Sequence, residues 1–274
     1  MQPPILFFDA IVLADSIAPS GKRLTTLKIT IPRCILAQFN THRMFSKNVA
    51  SSRAIPVSKA IASILHSPFI PDFASNQAGM QAGQSLSPVR HALAVMLWRY
   101  SLYSSAAIAY FLSKLGVHKQ WSNRPLEPYS WTTVIVSSTC WSNFFKLRLD
   151  HHAQPEMQTI ARLMREAIQA STPRRLAFGQ WHLPYIADHE RHCFSLEDQI
   201  CMSTARIARV SYARHEEFFS LEKDKARHDD MTLNGHMSPL EHVAMALDSA
   251  ERVGNFIGWK QYRKQVELER ATLE

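Results

Sequence analysis

Apolar and polar residues alternate twice near the start of the chain, over residues 6–14 and 24–31, and Pro19-Ser20-Gly21-Lys22 between them has turn chemistry. This predicts a β-hairpin whose second strand is closed by Pro32. Ile35, Leu36 and Phe39 then fall at helical spacing, predicting a short helix over 34–43 that delivers Asn40-Thr41-His42-Arg43 at its C-terminal end. Residues 44–54, rich in Ser and Asn, read as irregular, 58–66 as a short helix, and the Pro/Asn/Gly/Gln-rich 67–87 as a long ordered loop.

The pattern then turns helical. Residues 89–115 are apolar on nearly all faces, which suits the centre of a bundle or an oligomer interface. A β-branched run spans 132–136. Residues 142–170 read as a second long helix, with Phe144, Leu147, Ile160, Leu163 and Ile168 on its apolar side and Pro173 after its end. Residues 174–192 look irregular. A third helix over 196–212 carries Glu197 and Asp198 in its first turn and Arg206 and Arg209 toward its end, matching the macrodipole. A fourth, 216–234, is stopped by Gly235. Residues 243–247 suit a strand, and 255–264 a helix or an extended piece. The length admits one large domain or two small ones, and with no linker or repeat a single domain over 1–274 is expected.

Composition narrows the function. An apolar share of 46% with 20% charged residues is that of a soluble globular chain. The most apolar stretch, 92–112, is interrupted by Arg99 and by Ser and Tyr, so it reads as a buried helix and no membrane is expected. The first residues lack the charged region and cleavage site of a secretory signal, which points to the cytoplasm. Only 8 of 274 residues are glycine, and no two are separated by one residue, which excludes a G-x-G-x-x-G turn and a Walker loop. A phosphate-rich cofactor would have to be held by side chains. The formal charge is +8, yet no Lys/Arg run exceeds two residues, so an electrostatic tail is absent. The four cysteines stand far apart without a C-x-x-C, which predicts buried free thiols and neither a disulfide framework nor a Cys-rich zinc site.

Polar residues concentrate in three places. His42-Arg43, followed by Ser46, Asn48, Ser51, Ser52 and Arg53, combines cations with hydroxyl and amide groups; it is either a solvated loop or a grip on phosphate and on the carbonyl edge of a planar ring. Around Asn143, Arg148 is a charge in an apolar segment, either paired with Asp150 or Glu156 or functional. In Gly235-His236-Met237-Ser238-Pro239-Leu240-Glu241-His242, Ser238 and Glu241 are accounted for by a capping box, which leaves the two histidines unexplained. His189-Glu190-Arg191-His192 has the wrong spacing for two zinc ligands on one helical face, and no metal is expected.

At these segments the chain resembles the flavin-dependent thymidylate synthases. Their Arg-His-Arg signature, preceded by Gln and followed by x-x-Ser-x-Asn-Glu-x-Ser-x-Arg, is matched at Gln38, His42, Arg43, Ser46, Asn48, Ser51 and Arg53. Asn143-Phe-Phe-Lys-Leu-Arg148, running into Ala153-Gln154-Pro155-Glu156, is similar to the family's Asn-Phe-Leu-x-Leu-Arg helix, and Arg124 before Pro128 to its Arg-x-x-Leu-Pro loop. The family's Ala-Arg-Val-Ser-Tyr and Gly-His-x-Ser/Thr-Pro-Phe-Glu-His motifs stand at 208–212 and 235–242. Here they follow the other motifs, whereas in typical members they precede them, as in a circular permutation.

The resemblance implies an α/β (α+β) fold with long helices and a small, mostly antiparallel sheet, assembled as a homotetramer with active sites between subunits. It assigns His42, Arg43, Asn48, Asn143, His236, Ser238 and Glu241 to FAD, and Gln38, Ser51, Arg53, Arg124 and Arg148 to deoxyuridylate (dUMP). The implied reaction is reductive methylation of C5 of dUMP to dTMP, with carbon from methylenetetrahydrofolate, hydride from FAD recharged by NADPH, and no enzyme nucleophile. Arg148 is the expected catalytic group, because a positioned guanidinium stabilises charge developing on the pyrimidine. Thr41, Val49 and Thr139 replace an Arg, a Glu and another Arg of the family, so a different C5 product such as hydroxymethyl-dUMP is an alternative; Arg263 or Lys264 is a candidate for the missing charge. From another class, a non-catalytic nucleic-acid-binding relative would bind no flavin; by the leading reading no nucleic acid is expected.

Overall fold

The computed structural model describes residues 7–79, 81–212 and 220–272. Strands β1 (Asp9–Ile17) and β2 (Arg23–Pro32) form the expected hairpin, in register from Asp9↔Thr30 to Ile17↔Arg23 with a bulge between Val12 and Ala14. β1 begins later than the alternation suggests, and residue 6 lies outside the described residues. The turn closes through Ala18 N donating to Lys22 O at 3.1 Å, and Gly21 adopts φ 75°, a left-handed conformation open to glycine at no steric cost.

A short 3₁₀ turn leads into α1 (Leu36–Asn40) and then β3 (Ser46–Val49). β3 lies where an irregular segment was expected. Its residues are mostly polar, but Ser46 and Asn48 are buried because they bond to distant segments of the chain. Next come α2 (Val57–His66), α3 (Pro88–Lys114), α4 (Lys119–Ser122) and β4 (Trp131–Ser138).

The helix expected over 142–170 is two helices, α5 (Ser142–Arg148) and α6 (Pro155–Ala170). Pro155 is the cause: it starts α6 without needing an N–H, and it holds the preceding Gln154 at φ −56°, ψ 134°, outside the helical region. The stretch 174–192 is also more ordered than its composition suggests, holding β5 (Arg174–Arg175), β6 (Trp181–His182) and the first part of α7 (Asp188–Cys193). α8 (Leu196–Arg209) ends in a 3₁₀ turn, and α9 (Leu221–Leu233) follows; residues 216–219 of the fourth expected helix lie outside the described residues. The chain closes with β7 (Ala244–Ala246), β8 (Arg252–Val253), β9 (Phe256–Ile257), β10 (Trp259–Gln261) and α10 (Tyr262–Ala271).

Five strands form the main sheet in the order β3-β4-β2-β1-β5, antiparallel except for β1 with β5. A smaller antiparallel sheet has the order β10-β7-β6, and β8 pairs with β9. Alternation along β2 puts Leu27, Ile29 and Ile31 on one face, where with Val134 and Val136 they pack against Met157, Ile160 and Met164 of α6 and against Phe39 and Phe144. Fully burying each such side chain contributes about 1.5–3 kcal/mol. From the same pair of strands, Thr26 and Ser137 join a buried polar chain. Ser16 Oγ meets His182 Nδ1 at 2.9 Å, His182 Nε2 meets Thr26 Oγ1 at 2.8 Å, Thr26 meets Ser137 Oγ at 2.6 Å, and Ser137 meets His242 Nδ1 at 2.8 Å.

Two expectations change. Of α3, only Leu102, Ala106 and Ala109 are buried among the described residues, so within one chain it is not the centre of a bundle. The cysteines are not generally buried: Cys34 and Cys193 are exposed, Cys140 is half-buried and Cys201 alone is buried. Among the described residues no helix is long and apolar enough to cross a membrane.

Candidate active site

Residues 38–53 run from α1 through β3 into a 3₁₀ turn at Ser52–Ala54, and the other polar motifs gather along them. At the first end, His42 packs edge-on against Phe144 of α5, ring centroids 4.8 Å apart, and accepts a 2.8 Å hydrogen bond at Nε2 from Arg148 Nε. Arg148 makes no ion pair among the described residues, so neither Asp150 nor Glu156 is its partner. Burial, then the charges of Arg148 and Lys47, push His42 down from 6.5 to about 4. Burial likewise lowers Arg148. Asn143 stands exposed on the first turn of α5.

Lys47 ties this corner to the next. Its Nζ donates to Asn40 O at 3.0 Å and His42 O at 2.9 Å, and the nearby Glu241 carboxylate partly offsets the lowering of its pKa by burial. Asn48 is the junction of three motifs: its Nδ2 donates to Ile207 O at 2.7 Å, and its Oδ1 accepts from Ser211 Oγ at 3.2 Å and Ser238 Oγ at 3.4 Å. Ser51 N also donates to Ser211 O at 3.0 Å. Thus 208–212 and 235–242, remote in sequence, meet β3.

The capping box does not form. Ser238 is already helical at φ −61°, ψ −38° without a side-chain cap, and Pro239–Glu241 makes a single 3₁₀ turn. Glu241 Oε1 instead accepts from Arg263 Nη1 at 2.5 Å, while Gln261 Nε2 donates both to Glu241 O and to Ser46 Oγ at 2.9 Å. The segment carrying Arg263 and Lys264 is therefore beside the site, but neither brings an uncompensated charge. Arg263 also bonds Glu267 at 2.6 Å, and Lys264 bonds Glu267 at 2.7 Å. His236 is exposed just past α9; its backbone N–H closes a turn onto Met231 O at 2.9 Å, around Gly235 at φ 74°.

At the far end, Glu127 accepts from Ser52 Oγ at 2.7 Å and from Arg124 Nη1 at 3.1 Å, and Asn123 Nδ2 donates to Ser52 O and Ile55 O. Glu127 thus links Arg124 to Ser52, which stands between Ser51 and the exposed Arg53. Arg43 is also exposed, and among the described residues Arg43 and Arg53 make no ion pair. Gln38 carries a buried Oε1 without a hydrogen-bond partner among the described residues.

The three departures from the family pattern have structural partners. Thr41 Oγ1 donates to Gln38 O at 2.7 Å, Val49 packs on the main core, and Thr139 Oγ1 accepts from Ile257 N at 3.1 Å. Lys47, Ser211 and Gln261 were not singled out by sequence. Lys47 and Ser211 stand inside quoted motifs, and Gln261 lies in a polar, basic stretch, 258–264, where no local pattern sets it apart. The possible ligand atoms of Asp150, His151 and His152 lie within 4.8 Å of one another, but all three residues are exposed in one turn; His189 and His192 form no such group among the described residues.

A family model described as thymidylate synthase complementing protein matches residues 23–174, more than half of the chain. No curated protein matches by sequence. Among solved structures, the UMP/dUMP methylase PolB from Streptomyces cacaoi, bound with 5-Br UMP, aligns at a TM-score of 0.50 and 14% identity over 60% of this chain and 91% of that one, a likeness of fold. Thymidylate synthase X from Helicobacter pylori, solved with FAD and dUMP, aligns at a TM-score of 0.41 and 17% identity, over 59% of this chain and 93% of that one. The chain belongs to the thymidylate synthase complementing protein family, the flavin-dependent thymidylate synthase-like methyltransferases.

Proposed function

We propose that the protein reductively methylates C5 of dUMP to give dTMP, with methylenetetrahydrofolate as carbon donor and NADPH as the reductant that recharges FAD. The observation that carries this reading is the pairing of Arg148 with a neutral imidazole and no carboxylate. Its positive charge stays available to a ligand. Held on α5, the guanidinium stabilises electron density that builds on the pyrimidine as C5 attacks. Gln38 has an unpartnered buried carbonyl that suits the N3–H of the base, since leaving that oxygen unmet costs about 1–3 kcal/mol. Ser51, Arg53 and Arg124 form a donor-rich edge for sugar and phosphate.

FAD fits the donor set. Arg43, Asn143 and His236 are exposed donors, His42 adjoins Arg43 and Ser238 follows His236, and Glu241, the acidic member, is balanced by Arg263. Together with Asn48, these residues would hold a flavin and its pyrophosphate by side chains, as the shortage of glycine requires. Bound there, FAD supplies the hydride. The same reading makes the protein a cytoplasmic homotetramer of single-domain chains with sites between subunits. The apolar surface of α3 supports assembly.

Tritium release from C5-labelled dUMP with folate and NADPH, with the nucleotide product identified by mass, tests this. UMP is run in parallel, because one protein whose fold this chain resembles is a UMP/dUMP methylase. Release with a dTMP mass is the expected outcome. A hydroxymethyl-dUMP mass would instead support the second C5 chemistry. A colourless protein that FAD cannot reconstitute would overturn both.

A further inference from the structure

The main sheet has two edges, and the candidate site lies at β3. At the opposite edge, next to β5, a cavity of about 230 Å³ is lined by Arg174, Trp181, Leu183, Arg191 and Gln199 among others. Four strand spacings separate the two edges, roughly 19 Å. None of the residues assigned to flavin or nucleotide lines this cavity, and of its lining only Arg174 falls within the segment 23–174 that the family model matches. It is a feature of this chain's own C-terminal part.

Its lining is positive. Burial lowers the pKa of Arg191 and the charge of Arg174 lowers it further, against the weaker opposing pull of Asp188 and Glu190, and neither of these carboxylates is in the described lining. Arg174 makes no ion pair among the described residues. Arg191 has the fully exposed Asp188 at 3.8 Å, beyond hydrogen-bond reach, and a long 3.5 Å bond from Nη2 to Leu183 O; its Nε is buried and unpartnered. Two like charges with an unmet buried donor are costly, and the ligand that relieves both is a compact anion with several acceptor oxygens. Two guanidinium forks, carrying two charges, match a phosphate dianion better than a single carboxylate. The volume suits a phosphate or a small phosphate ester, since pockets for drug-sized ligands run from about 300 Å³. Gln199, itself held by bonds to Arg191 O at 3.1 Å and Phe194 O at 2.9 Å, fixes the backbone from which Arg191 projects.

We propose that the cavity between Arg174 and Arg191 is a phosphate-binding site, separate from the flavin and nucleotide site, that takes free phosphate or the phosphate group of a small metabolite.

The test has a structural and a solution arm. Crystals of the full chain are soaked in tungstate, a phosphate mimic with strong anomalous scattering. A peak between Arg174 and Arg191 that added phosphate displaces is expected; no peak there overturns the proposal. In solution, calorimetric titration with inorganic phosphate, against chloride at matched ionic strength, compares the unmodified protein with Arg174→Gln/Arg191→Gln. One more phosphate per chain should bind to the unmodified protein, whatever binds at the nucleotide site, and equal stoichiometry overturns the proposal. Arg191→Lys, which keeps the charge but loses the fork, should weaken binding about tenfold, the scale of one charge-assisted hydrogen bond. If the double variant fails to fold, the tungstate map decides alone. Glycerol 3-phosphate identifies the source: tighter binding than phosphate points to a phosphate ester, weaker binding to the free ion, and binding of neither overturns the site.

Discussion

Arg148 Nε donates to His42 Nε2 over 2.8 Å, between residues 106 positions apart. The bond requires a lone pair on Nε2, so the imidazole is neutral with its proton on Nδ1. Burial and two neighbouring cations keep it so, holding His42 at about 4. Among the described residues the outer guanidinium nitrogens of Arg148 have no partner, so they are free to meet a ligand. Arg148→Ala is expected to keep FAD while losing about a hundredfold or more in turnover, the scale of one lost donor to developing charge. In the same variant His42 should titrate higher than about 4, because the second largest cause of its depression is gone. Flavin absorbance, tritium release and an NMR titration of the imidazole check the three parts. Unchanged turnover would reject the catalytic role.

Asn48 holds three segments at once, through Ile207 O, Ser211 Oγ and Ser238 Oγ. Asn48→Ala removes three side-chain hydrogen bonds at once, although Ile207 O keeps the backbone N–H of Val210, and a loss of about 1–3 kcal/mol in unfolding free energy is expected. Asn48→Asp keeps the size but cannot donate to Ile207 O, so it should destabilise comparably. Urea unfolding of the three proteins measures this. Stability in Asn48→Ala equal to that of the unmodified chain would show that the segments are held together by other contacts.

How far the site was legible follows from these pairs. The alternation of Leu27, Ile29 and Ile31, and the run Val134-Ile135-Val136, marked β2 and β4 because Leu27, Ile29, Ile31, Val134 and Val136 face the main apolar core, while Ile135 joins a second one. β3 escaped that logic. Ser46 and Asn48 are buried by hydrogen bonds to Gln261 and Ile207, partners that no local pattern names. The break before α6 was written in Pro155, which a reading by apolar periodicity passed over. Ser238 and Glu241 had a sufficient local explanation as a cap, and tertiary partners replaced it: Asn48 for one, Arg263 for the other. The residues that meet at the site were found by resemblance to a family, since physics applied to one sequence cannot pair positions 42 and 148.

His182 and His242 are both fully enclosed, and burial pushes each from 6.5 to about 3, with a smaller push from Arg191 on His182 and from His182 on His242. Between those values the unfolded chain binds protons that the folded chain refuses. Their contribution is therefore fully present above pH 6.5 and is lost as the pH falls toward about 3, at up to about 1.4 kcal/mol per pH unit for each histidine. The urea midpoint should be lower at about pH 5 than at about pH 7.5. His242→Asn, whose amide can occupy the Nδ1 position bonded to Ser137, should flatten that slope. An identical pH dependence in the variant would mean that His242 is not the group responsible.

The last prediction concerns α3. Leu97, Tyr100 and Phe111 are 62%, 72% and 63% exposed, and with Leu93, Met96 and Tyr103 they make a long apolar surface on a helix that buries little within its own chain. A patch of that kind on a lone chain marks an interface. Since the proposed assembly is symmetric, the same surface would meet its own copy, and one substitution would then be felt twice across each contact. Leu97→Glu/Tyr100→Glu places two carboxylates there, and burying unpaired charge is costly enough to favour dissociation. Light scattering on the unmodified protein should give a tetramer, and on the variant a smaller species with unchanged circular dichroism. If sites are shared between subunits, turnover per chain should fall with the mass. A monomeric unmodified protein at micromolar concentration would remove this role from α3 and leave its apolar surface without a partner of the same kind.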